Sequence, residues 1–102
     1  MHLVQILLPL FDNQRKALPH EAYARVRAEL TERFGGLTVY TRAPAEGLWK
    51  QNGRQTSRDD IVIFEVMAKD LETRWWRRYR HELEDRFRQD VIVIRSQAMR
   101  LL

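Results

Sequence analysis

Residues 26 to 34 read VRAELTERF and residues 79 to 87 read YRHELEDRF. At this constant offset of 53, Arg27/Arg80, Glu29/Glu82, Leu30/Leu83, Arg33/Arg86 and Phe34/Phe87 are identical, and Glu32/Asp85 keeps its charge. The same offset sets Tyr23 on Trp76 and Val39 on Ile92. An internal repeat constrains a chain of 102 residues more than any single motif, because both copies must adopt one shape and share one core. Each copy is a helix-spaced stretch between two strand-like ones, so the repeating unit is strand, helix, strand. Two such units with right-handed crossovers put both helices on one side of a four-stranded antiparallel sheet. The expected fold is therefore α+β, a ferredoxin-like βαββαβ sandwich forming one domain over residues 1–102.

The elements follow from periodicity. In HLVQILL, Val4, Ile6 and Leu8 share one strand face and Leu3, Gln5 and Leu7 the other, with Pro9 closing the strand. A helix is predicted from about Pro19, with Tyr23, Val26, Leu30 and Phe34 along one side and Gly35-Gly36 as its stop. Leu37 to Arg42 alternates as a second strand, and Ile61 to Met67 forms a third. The second helix is expected from an Asp70 N-cap to about Arg88, with Trp75, Trp76, Tyr79, Leu83 and Phe87 on its apolar side. Val91 to Ile94 supplies the fourth strand.

The third strand decides what the uncovered sheet face carries. If Val62, Phe64 and Val66 point at the helices, then Ile61, Ile63 and Glu65 share the open face with Leu3, Gln5 and Leu7. The opposite register buries Glu65 beneath two helices, which is costly for an unpaired charge. The first register leaves an apolar face with two polar residues at its centre, the kind of surface that marks an interface or a ligand site. Two such faces packed together make a dimeric barrel, with Gln5 and Glu65 near its interior. Glu65 could there act as an acid, a base or a ligand anchor. The plainer reading is an ion pair with Arg42 or Arg95 across the sheet.

Residues 43 to 60 are too long for a simple hairpin connection. Asn52-Gly53 suits a two-residue turn, so Gly47 to Gln51 is expected to pair with Arg54 to Ser57 as a β-hairpin arm carrying Trp49. On that arm Trp49 is more simply a clasp on its own sheet or on a partner subunit than a ligand contact.

Other chemistries lack their signatures. With no cysteine there are no disulfides, thiolate metal sites or cysteine nucleophiles, and the default compartment is the cytoplasm. His2, His20 and His81 have no ligand spacing, neither serine sits in GxSxG, and no glycine loop cradles phosphate, so no metal and no cofactor are expected. The start, MHLVQILLPLF, lacks a basic region and a cleavage site, and no apolar run is long enough to span a bilayer. The net charge is +4, but the basic residues are interleaved with 14 acidic ones. The third strand also lacks the glycine-aromatic pattern of the RNA recognition motif. Trp75 and Trp76 with Arg74, Arg77, Arg78 and Arg80 could grip nucleic acid, yet both indoles fall on the apolar side, so nucleic acid is not the expected partner.

The ILLPL opening, RFGGLTVY, the GLWK arm with its NG turn, RDDIVIFEV and the RF…VIVI ending together resemble small bacterial proteins of ferredoxin-like, dimeric α+β barrel type with no assigned activity. That resemblance implies a homodimer joined through the open face or the 46–57 arm. Three functions are consistent with it. The first is small-molecule binding by Gln5, Tyr40, Arg42, Trp49 and Glu65. The second is a cofactor-free or haem-type enzyme of the barrel class with Glu65 or His2 as proton acceptor. The third is a nucleic-acid-associated protein using the arginine-rich second helix.

Overall fold

The computed structural model describes residues 1–40, 50–51, 55–56 and 61–102, with the backbone alone for 50, 51, 55 and 56. Its elements run β1 (His2–Pro9), α1 (His20–Phe34), β2 (Thr38–Tyr40), β3 (Lys50–Gln51), β4 (Gln55–Thr56), β5 (Ile61–Ala68), α2 (Thr73–Arg86) and β6 (Val93–Ala98). The four long-range strands form one antiparallel sheet in the order β2-β5-β1-β6, and β3 and β4 form a separate two-stranded ribbon. With both helices added, this is the ferredoxin-like α+β fold that the repeat implies. No helix among the described residues is long and apolar enough to cross a membrane.

Strand alternation sorts the sheet into two faces, as the sequence predicts. Val4, Ile6 and Leu8 of β1 and Val62, Phe64 and Val66 of β5 are buried, in one cluster with Val26 and Leu30 of α1 and Trp76, Tyr79 and Leu83 of α2. Their alternates lie on the face without helices. Helix α1 ends where Gly35 adopts φ 77°, a conformation that glycine enters without a Cβ penalty, and Gly35 N donates to Thr31 O at 2.8 Å.

The helices are also tied to each other through repeat-related residues. Arg86 grips Glu29 with both terminal nitrogens at 2.6 and 2.8 Å, and Tyr79 Oη donates to the same carboxylate at 3.0 Å. The pseudo-symmetric counterpart is missing, because Arg33 pairs with Glu72 instead of Glu82 and lies over the Trp75 ring at 4.1 Å. The two copies share a backbone plan and differ in how their charges are used.

Two boundaries depart from the sequence reading. Helix α2 starts at Thr73 with Glu72 at the cap position and no side-chain capping bond, so Asp70 does not cap it. β6 runs from Val93 to Ala98, four residues past Ile94, while Val91 lies outside it and is exposed. The cause is pairing: β6 forms a ladder with His2–Leu7 of β1, and RSQA needs no apolar pattern at a sheet edge. Glu84 fixes the entry to this strand by accepting the Ile92 backbone N–H at 3.0 Å. In the ribbon, Lys50 pairs with Thr56 and Gln51 with Gln55, so three residues separate its strands where a two-residue Asn52-Gly53 turn was predicted. Asn52, Gly53 and Trp49 themselves lie outside the described residues.

Candidate functional site on the open sheet face

The register brings four polar side chains of the open face into one line. Gln5 of β1 stands opposite Glu65 of β5 on one side and Arg95 of β6 on the other. Tyr40 of β2 pairs with Ile63 and so sits diagonally from Glu65, within reach of a long side chain. The bonds that follow span all four strands. Tyr40 Oη donates to Glu65 Oε2 at 3.2 Å, and Gln5 Nε2 donates to Glu65 Oε1 at 2.7 Å. Arg95 Nε in turn donates to Gln5 Oε1 at 2.8 Å.

Each member thus has a defined role. Glu65 is the acceptor, with one donor on each carboxylate oxygen among the described residues. Gln5 transmits, because its amide donates to the acid and accepts from the base. Arg95 supplies the positive end, and Tyr40 closes the other end. The Glu65 charge beside it, and then the hydrogen bond to Glu65, raise the Tyr40 hydroxyl above its ordinary 10.0, so Tyr40 is a neutral donor at neutral pH and no phenolate base.

The row is set in apolar surroundings. Leu7, Ile63 and Val93 flank it on one side and Leu3 and Met67 on the other, following strand alternation. Tyr40, Met67 and Val93 are 45%, 50% and 48% exposed, while the helix-side residues Val62, Phe64, Val66 and Ala68 of β5 are 6% exposed or less. Binding sites commonly combine apolar surface that supplies contact with a few polar groups that supply orientation.

The sequence-predicted residues divide as follows. Gln5, Tyr40 and Glu65 are brought together. Arg42 and Trp49 lie outside the described residues. His2 pairs with Ala68 and alternates with Leu3, which places it on the helix side of β1, away from Glu65. Arg95 holds Gln5 and not Glu65, so the row is a relay of neutral and charged groups and no direct Arg95–Glu65 ion pair. Arg95 was visible in the sequence only as a possible partner for Glu65, because the apolar pattern stops at Ile94 and its position on the row depends on β6 continuing. On α2, Trp76 is core and Trp75 is half-buried and stacked on Tyr79 at 4.8 Å, while Arg74, Arg77 and Arg78 are exposed. No group of three or more metal-ligating side chains occurs among the described residues.

Compared with models of protein families, with curated proteins and with solved structures, the chain gives no match.

Proposed function

We propose that this chain is a small-molecule-binding protein that works as a homodimer, two open sheet faces enclosing a site walled by Tyr40, Glu65, Gln5 and Arg95. The observation that carries this reading is the continuous hydrogen-bonded row on an otherwise apolar, helix-free face. The row is polarised, with its acid on β5 and its base on β6. A two-fold axis parallel to the strands, between β5 and β1, lays β6 of one copy over β2 of the other and β5 over β1. Glu65 then faces Gln5 of the second copy, no like charges oppose each other, and the apolar flanks meet. Arg42 and Trp49 belong to the same proposal through the arm that joins β2 to β5.

The ligand suited to this wall presents donors to Glu65 and acceptors to Gln5 and Arg95, around an apolar body that fits Leu7, Ile63 and Met67. Light scattering over a concentration series, with a thermal-shift panel of neutral and weakly basic small molecules, tests the proposal. A dimer that dissociates in Met67→Lys, and a ligand whose stabilisation disappears in Glu65→Gln, are the expected results. A monomer at every concentration with no stabilising compound overturns it.

A further inference from the structure

A second site lies on the other side of the sheet, at the edge where α2 meets β6. A cavity of about 210 Å³ is bounded there by Val4, Leu71 and Ile94, by Trp76 and Arg80 of α2, and by Ser96. Thr73 and Arg77 complete the helix wall. Positions 73, 76, 77 and 80 form one stripe along a helix, so α2 presents them to the same space as a set. Ser96 joins them because it pairs with Val4 and therefore faces the helices.

The chemistry of this wall is one-sided. Thr73, Arg77, Arg80 and Ser96 all bring donors, and no carboxylate of the described residues lines the cavity. Trp76 is 6% exposed, and its Nε1 is buried with no hydrogen-bond partner among the described residues. Arg80 Nε is in the same condition. Burying a donor without an acceptor costs free energy, so this wall carries two unmet donors just beneath its surface and gains from an acceptor brought against it. Arg86 offers the contrast: its Nε is also unpartnered, but both its terminal nitrogens are held by carboxylates. Arg80 makes no ion pair among the described residues. Glu84, one turn on, is engaged by the Ile92 backbone N–H and by His81.

We propose that this cavity binds a small organic acid, its carboxylate received by Arg80 and Arg77 with the Thr73 and Ser96 hydroxyls, and its apolar body by Val4, Leu71 and Ile94. Size supports an organic anion over a bare inorganic one, since a cavity of about 150 Å³ already accepts benzene and this one has room for a ring and a carboxylate. Thr73, Arg77 and Ser96 are exposed, which gives the ligand a way in from solvent. The site uses the helix side and outer edge of β6, where Arg95 of the open-face row also borders it, and its helix-wall groups take no part in the dimer proposed for the open face.

The test follows the indole N–H resonance of Trp76, assigned by Trp76→Phe, in the full chain during titration with sodium benzoate, neutral benzamide and inorganic phosphate. Benzoate should shift it saturably, at least about ten-fold more tightly than benzamide, because a charged acceptor strengthens each hydrogen bond. Arg80→Gln should weaken benzoate by about ten-fold or more while the chain melts as before. Should Arg80→Gln fail to fold, the exposed Arg77→Gln serves instead and should weaken benzoate by about three-fold or more. The absence of a saturable shift, an equal response to benzamide, or unchanged affinity in the folded arginine variant overturns the proposal. Phosphate binding as tightly as benzoate also overturns it, in favour of an inorganic oxyanion site.

Discussion

On the helix-covered face of the sheet, β1 and β5 contribute Val4, Ile6, Leu8, Val62, Phe64 and Val66, a dry aliphatic and aromatic layer sealed by α1 and α2. On the other face the same two strands place Gln5 opposite Glu65 and bond them at 2.7 Å between exposed and half-exposed apolar neighbours. One backbone ladder thus supports two surfaces with different tolerances. The covered face is specified by volume, so a change of size should be felt as stability. The open face is specified by donor and acceptor placement, so a change of one atom should be felt as association or binding. This separation is what lets a chain of one small core carry polar machinery without putting a charge inside it.

The contrast can be broken in order of expected effect. Phe64→Ala, which empties a fully buried position between sheet and helices, should cost about 3–5 kcal/mol in a denaturant titration. A loss near that expected for a surface residue would mean that the covered face is not the core.

Glu29→Gln should cost less, about 1–3 kcal/mol, because the Arg86 grip is charge-assisted yet Glu29 is one-third exposed. The same variant carries a pH signature. The hydrogen bonds from Arg86, followed by that from Tyr79, hold the Glu29 carboxyl below its ordinary 4.5. The unfolded chain therefore binds this proton first, and the stability that Glu29 contributes is complete above 4.5 and lost as pH falls through the lower folded value. Acid unfolding curves for Glu29→Gln should accordingly be flatter below that pH than those of the parent.

On the open face, Met67→Lys with Val93→Lys should leave the folding free energy of the separated chain within about 0.5 kcal/mol per site, since both side chains are half exposed. The same pair should abolish self-association in sedimentation equilibrium. The smallest effect belongs to Glu65→Gln, which should lower the Tyr40 titration towards 10.0 in an ultraviolet pH scan by removing the charge that raises it. Because the folded Tyr40 value is raised, its share of stability is present below 10.0 and fades as pH climbs through the folded value, and this fading should weaken in the variant.

Much of this organisation is legible in the sequence. Strand period fixes which of Val62, Phe64 and Val66 or Ile63 and Glu65 is covered, because a helix layer cannot tolerate Glu65 without a partner. That single argument put Gln5 and Glu65 on one face. The β6 residues were not legible in the same way. Arg95 and Ser96 follow the last apolar residue of the strand, and an edge strand can be polar on every position, so hydropathy is silent about where it ends. The cavity behind them was hidden for the same reason: Trp76 and Arg80 share a helix stripe in the sequence, but the space they border exists only once β6 continues to Ala98.

Sequence alone therefore determined the βαββαβ order and the division of the sheet into a covered and an open face, since both depend on local periodicity repeated at a fixed offset. Only the tertiary structure decided the partners. That Arg95 reaches Gln5, that Arg86 chooses Glu29 while its repeat mate Arg33 chooses Glu72, and that Trp76 is buried without an acceptor all depend on distances between strands and helices far apart in the chain. Periodicity says which side a residue faces; only packing says what it meets there.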